Sequence, residues 1–327
     1  MPDWILLLPI VFPVMGALAL TLLLPRVKLD ARQPLTIGLL VVEIALVLLN
    51  IAPALHRWVV SAWERVNFTL ALQMDGVTQL VALTMLVLLL ARELVAPSRL
   101  DARALLVLAA ALLFAAADGM PTLLLAWTLL DLALFGWRWA REVERANALR
   151  RLAIGLVMGL MFFAGALTAR TEIGAAMFAL ALWARLGLFP FHALLPMRDA
   201  DEFDVWIARG IPLLAAANAW LHWNTFHIAV PYTLIGVLAG ANLIVTALWI
   251  WRASDIVRAF SIGAQHAFAL VPLTLAFGEA GIALALWQTL GIAFALALGD
   301  IAQRWRAEEH HAYARLGGWL AVGALAG

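Results

Sequence analysis

An all-α polytopic membrane protein is what this sequence predicts, and three observations predict it. The chain is 65% hydrophobic and only 13% charged, about half the charge that a soluble domain carries, and its mean hydropathy is +0.95. Apolar runs recur from end to end, each long enough to cross roughly 30 Å of hydrocarbon. Basic residues gather in alternate connections, the pattern that sets the orientation of membrane helices.

Eleven spans are expected, near 3–25, 34–55, 76–96, 102–118, 120–138, 149–169, 172–192, 205–224, 228–251, 257–277 and 280–300. The first is too long for a signal h-region and lacks a basic n-region and a small-residue cleavage site, so it is expected to remain as a span. Between the second and third, residues 56–75 carry Trp58, Trp63 and the alternating Val66-Asn67-Phe68-Thr69-Leu70. This segment reads as an interfacial hairpin or amphipathic stretch held by tryptophans at headgroup level. The seventh span ends in Arg185-Leu-Gly-Leu-Phe-Pro-Phe-His192-Ala-Leu-Leu-Pro196. A cation, two prolines and a histidine inside one hydrophobic segment predict a broken helix near 185–196. Such a break is tolerated only inside protein or beside a water-filled cavity. After the eleventh span, residues 316–327 are apolar but too short to cross.

Seventeen basic residues fall on one side: Arg26, Lys28, Arg32, Arg92, Arg99, Arg103, Arg138, Arg141, Arg145, Arg150, Arg151, Arg198, Arg252, Arg258, Arg304, Arg306 and Arg315. The other side has Arg57, Arg65 and Arg170. The positive-inside rule then places the N-terminus outside and the C-terminus inside. No Pro- or Ser-rich linker divides the chain, so residues 1–327 read as a single transmembrane domain.

Polar residues within spans are expensive, and they are the candidates for function. Arg185 reads either as a fixed charge beside an ion path or as an arginine snorkelling to an interface. Asp131, among leucines in the fifth span, needs a partner or a proton unless it lies shallow and hydrated; Arg185 is the candidate counter-ion. Glu43 lies mid-span in the second helix and reads as a buried, hydrogen-bonded acid or as a titrating one. His192 at the break and His266 in the tenth span could relay protons, and a static hydrogen-bonding role for His266 is equally open. Asp255 with Arg258, and Asp300 with Arg304, read as structural pairs at helix ends. The tail Glu308-Glu309-His310-His311 reads as solvated charge before it reads as a metal site.

Several chemistries find no support. The chain has no cysteine, hence no disulfide, thiolate metal site or cysteine-held cluster. It carries no Gly-rich phosphate or dinucleotide loop, no zinc-ligand spacing and no nucleophile–base arrangement. No cofactor, redox site or hydrolytic site is expected, and a net charge of +1 gives no sign of nucleic-acid binding.

These residues together resemble the antiporter-like membrane subunits of respiratory complex I, a family shared with Mrp antiporters and membrane-bound hydrogenases. The run from Arg185 to Pro196 resembles the family's lysine–Phe-Pro-x-His–x-x-Leu-Pro signature on a broken seventh helix. Met74-Asp75-Gly76-Val77-Thr78 resembles the start of its third helix, and Leu125-Ala126-Trp127-Thr128-Leu129-Leu130 its tryptophan-glutamate motif. Asp255-Ile-Val-Arg258-Ala-Phe-Ser261 resembles the beginning of its tenth. In that family a glutamate and a lysine carry each half-channel. Here Thr128 stands at the glutamate position and Arg185 at the lysine position, while Trp287 and Gly291 stand where the family has a histidine and a lysine. Asp131, one turn from Thr128, is the available acid; arginine stays protonated and cannot take over the lysine's proton exchange.

The resemblance implies a shortened antiporter-like fold in a bacterial inner membrane, partnered by other integral membrane subunits and by lipids. It implies a subunit of a complex I-related assembly that conducts or gates protons, or sodium, through Asp131, Arg185 and the break at His192, with Glu43 and His266 along the path. The altered charge pair supports a second expectation: a non-conducting subunit that scaffolds or docks a larger membrane complex.

Overall fold

The computed structural model describes residues 3–23, 29–50, 56–63, 68–95, 101–140, 145–168, 170–191, 206–223, 228–252, 256–274 and 277–307. The helices are α1 (Leu8–Leu23, preceded by a 3-10 turn at Asp3–Leu7), α2 (Leu29–Leu49), α3 (Gly76–Val95), α4 (Ala102–Ala115), α5 (Met120–Trp139) and α6 (Arg145–Leu167). They continue with α7 (Glu172–Arg185), α8 (Ile211–Leu221, after a π turn at Trp206–Gly210), α9 (Tyr232–Trp251), α10 (Ile256–Phe268), α11 (Leu270–Thr274) and α12 (Gly278–Ala307). Three strands complete the set: β1 (His56–Trp63), β2 (Phe68–Met74) and β3 (Ala117–Asp118). Every expected span holds a helix, and the tenth holds two.

Six of the described helices are long and apolar enough to cross a membrane: Ile5–Leu22, Gly76–Val95, Met120–Trp139, Ala148–Leu167, Tyr232–Trp251 and Ala280–Gly299. Gln33–Leu49 and Ala102–Ala115 are shorter apolar helices. Large apolar residues stand outward as well as inward, among them Met15, Leu18, Leu160, Val237 and Ile244. Helices apolar all round belong in hydrocarbon, and this is an integral membrane protein.

The chain divides into two compact units, Met1–Leu156 and Val157–Gly327. In the first, α1 packs on α4 and α2, α2 on α3, and α4 on α5. The buried face of α3 follows the helical period through Thr78, Ala82, Met85, Leu89 and Arg92, as one packed stripe requires. Asp75 starts this helix by accepting the Thr78 amide at 2.8 Å, and Asp101 starts α4 by accepting that of Ala104 at 2.9 Å; both relieve amides that have no partner inside the helix. Gln33 Nε2 donates to the Glu93 carbonyl at 3.2 Å and Gln79 Nε2 to that of Asn50, tying α2 to α3 at both ends.

Of the two readings of residues 56–75, the structure has the hairpin. β1 and β2 pair antiparallel, His56 opposite Met74 and Trp63 opposite Phe68, with an irregularity between Val59 and Ser61. β3 adds to the other edge of β2, Ala71 opposite Asp118. Arg57 forms an ion pair with Asp118 across this sheet, and the Ala71 amide donates to Thr122 Oγ1 of α5 at 2.9 Å.

In the second unit α8 is buried along its whole length. Phe162, Phe178, Trp223 and Trp220 form a continuous aromatic row, with successive ring centroids 4.8, 4.9 and 5.1 Å apart. α9 packs on α10 and α11, and α12 on α10, α11 and α8.

Three details depart from the sequence reading. The seventh helix stops at Arg185 rather than near 192, because Gly187 and Pro190 follow at once. The tenth span is interrupted at Ala269; Pro272 favours this, since its ring crowds the helical carbonyl four residues earlier, at Phe268, and it has no amide to give. Finally, Arg92 and Arg138, counted among loop cations, lie in the last turns of α3 and α5 and are buried, Arg92 completely.

Candidate functional site

The break in α7 begins with its backbone. Leu186 and Gly187 close the helix by donating to Leu182 and Ala184 at 3.1 and 2.9 Å. Gly187 has φ 63°, a left-handed value that costs glycine little and a side-chain-bearing residue more. The Phe189–Pro190 peptide is cis, and proline offers no amide to continue the helix. Interrupted backbone needs partners from elsewhere in the protein, and this segment has them. The Phe189 amide donates to Asn242 Oδ1 of α9 at 2.8 Å, its carbonyl accepts Trp183 Nε1 at 2.9 Å, and the Phe191 amide reaches Leu188 at 2.7 Å.

Asn242 is completely buried and does more than receive Phe189. Its Nδ2 donates to the Gln265 carbonyl at 3.4 Å, near the end of α10 where the second interruption lies. The Asn242 carbonyl accepts Thr246 Oγ1 at 2.6 Å, and that same oxygen is 2.8 Å from His266 Nδ1. A hydroxyl has one proton. With that proton on Asn242, His266 Nδ1 is the donor to Thr246, and Nε2 of the neutral ring carries the lone pair. The Asn242 side chain thus joins the break in α7 to α9 and α10, and one turn further on Thr246 joins α9 to His266 of α10.

The first unit holds the acids. Asp131 is 8% exposed, and its carboxylate lies against Gly155 of α6, where a Cβ would stand 2.7 Å from Oδ2. One turn earlier on α5, Trp127 Nε1 donates to the Gly155 carbonyl at 3.3 Å. Thr128 turns its hydroxyl onto the Leu124 carbonyl of its own helix at 3.0 Å. Glu43 is 2% exposed, and neither of its carboxyl oxygens has a hydrogen-bond partner among the described residues.

Of the residues expected to act together, Asp131 and Glu43 belong to the first unit and Arg185 and His266 to the second. His192 and Asp255 lie outside the described residues, as does the tail 308–311; the helices describe Arg258, Asp300 and Arg304 by backbone alone. Trp287, at the family's histidine position, is 73% exposed on α12.

Sequence reasoning missed four residues. Asn242 and Thr246 are uncharged and lie in an apolar helix, so only their spacing of one turn marked them. Arg92 and Glu93, both with fully buried side chains and 3.4 Å apart, stand at a helix end where solvation is the default expectation.

No family model matches the sequence, and no curated protein matches it. Solved structures do. The chain is similar to one in respiratory complex I from Thermus thermophilus with bound aureothin, at 16% identity and TM-score 0.69, covering 97% of this chain and 82% of that one. It is similar to one in the membrane-bound sulfane sulfur reductase, an archaeal respiratory membrane complex, at 17% identity and TM-score 0.71, covering 92% and 55%. A chain of the Mrp complex from Dietzia sp. gives 17% identity and TM-score 0.74, covering 94% and 38%. At these identities the likeness shows the fold. The chain has the antiporter-like membrane fold that its motifs resemble.

Proposed function

We propose that this chain is a membrane subunit of a complex I-related ion-translocating assembly, and that it conducts or gates protons, or sodium. The observation that carries the reading is the buried polar line along α9 at the α7 break: Asn242 holds the Phe189 amide at 2.8 Å through its side chain, and one turn on Thr246 lies 2.8 Å from His266 Nδ1. Buried polar groups in a membrane helix are costly and mark pathways by default. This line ends on an imidazole whose Nε2 can take and return a proton while Nδ1 keeps its bond to Thr246. In this proposal Asp131 is the acid and Arg185 a fixed charge, with Glu43, His192 and His266 as the further candidates. Eleven crossings of one membrane domain, with the N-terminus outside and the C-terminus inside a bacterial inner membrane, complete the proposal, and the partners are other integral membrane subunits and lipids.

A second reading rests on α5 and α7. Thr128 offers a hydroxyl bound to its own helix where the family has a glutamate, and Arg185 cannot release its proton. On this reading the chain is a non-conducting scaffold. Reconstituting the native assembly in vesicles and measuring proton and sodium flux separates the two. Conduction requires that Asp131→Asn and His266→Ala each lower flux at least roughly tenfold with assembly intact; wild-type flux in both variants rejects it and leaves the scaffold.

A further inference from the structure

The geometry points to Gly155 as a positioning residue: with Trp127 it forms an aspartate-length seat for the Asp131 carboxylate, which we infer brings α6 into the ion path. The inference rests on the reading of Asp131 as the acid of that path.

Three contacts define the seat. Both carboxylate oxygens and Cγ of Asp131 crowd the place where a side chain at 155 would begin, at 2.7, 3.1 and 2.8 Å. Real Cβ atoms do not approach so closely, so any residue but glycine forces the carboxylate aside. Trp127 fixes the same residue from one turn earlier through its bond to the Gly155 carbonyl, so α5 grips α6 at a single residue with two side chains. One further methylene at 131 adds volume where the carboxylate already fills the space beside Gly155. Thr128, one turn earlier on α5, bonds its own helix instead.

A double-mutant cycle in the reconstituted assembly tests this. Gly155→Ala should lower the Tm by about 3 °C or more, the size of a small overpacking cost. Adding Asp131→Ala should remove most of that loss, because the atoms it meets are gone. Flux through Gly155→Ala should need a higher ion concentration for half-maximal rate. Gly136→Ala on α5, where a Cβ meets nothing within 4 Å, should leave that concentration unchanged. Asp131→Glu should behave like Gly155→Ala rather than like wild type. Equal Tm losses from Gly155→Ala with and without the Asp131 carboxylate overturn the seat. If Gly155→Ala alone fails to assemble, recovery on adding Asp131→Ala supports the seat and continued failure overturns it. The ion-path reading fails separately, by wild-type flux in Asp131→Asn, while the stability cycle still decides the seat.

Discussion

The break in α7 and the mid-span acid in α2 answer the same problem in opposite ways. Each puts polar atoms inside apolar helices. At the break, Asn242 and Trp183 meet the amide and the carbonyl of Phe189, and Asn242 passes the connection on to α10. In α2, Glu43 is as deeply buried, yet its two oxygens have no hydrogen-bond partner among the described residues. Satisfied polar networks fix geometry, whereas an unsatisfied buried polar group is a standing cost. The difference separates a part of the molecule built to hold one shape from a part that carries an unspent chemical group.

Removing the polar side chain should therefore have opposite signs at the two places. Asn242→Leu strands the Phe189 amide and removes one donor to the Gln265 carbonyl, which keeps the Ala269 amide at 3.3 Å, so it should destabilise the second unit by about 1–3 kcal/mol, one desolvation penalty. Thermal unfolding of the detergent-purified chain measures it, and a loss under 1 kcal/mol would mean that the break holds without α9. Glu43→Leu keeps the volume and discards two unsatisfied oxygens, so it should stabilise the first unit by about 1–2 kcal/mol. A clear destabilisation there would show that Glu43 has a partner within the chain, and the contrast with Asn242 would collapse.

How much of this was legible beforehand follows the same division. Covalent constraints show in a sequence: Pro190 announced the break, and alternating apolar residues with tryptophans allowed the hairpin. The second interruption carried the same kind of mark, because Pro272 acts on a carbonyl four residues earlier; the apolar run across 257–277 concealed it. The partners of polar groups are not local. Asn242 meets Phe189, 53 residues earlier in the chain, only because α9 packs beside the end of α7. Gly155 looks like any membrane-helix glycine until Asp131 is set against it. The burial of Arg92 was hidden for a different reason: counting charges toward orientation treats a helix-end arginine as solvated, whereas Arg92 and Glu93 are both turned inward.

The exposed ion pair of the hairpin sharpens the comparison from the other end. Arg57 and Asp118 join β1 to β3, and the Arg57 side chain is 55% exposed. Water already reaches more than half of that side chain, and although the Asp118 side chain is only 12% exposed, a pair open to water on one side returns little. Arg57→Ala should cost the first unit no more than about 0.2–1 kcal/mol, and even that should fade as salt screens an exposed pair. Unfolding measured at low salt and again in molar salt checks both statements. A cost above 2 kcal/mol, or one that persists in salt, would mean that the sheet is closed off from water by another subunit. The rule separating Asn242 from Glu43 would then extend to the surface: what a polar group contributes is set by what replaces its water, not by the charge it carries.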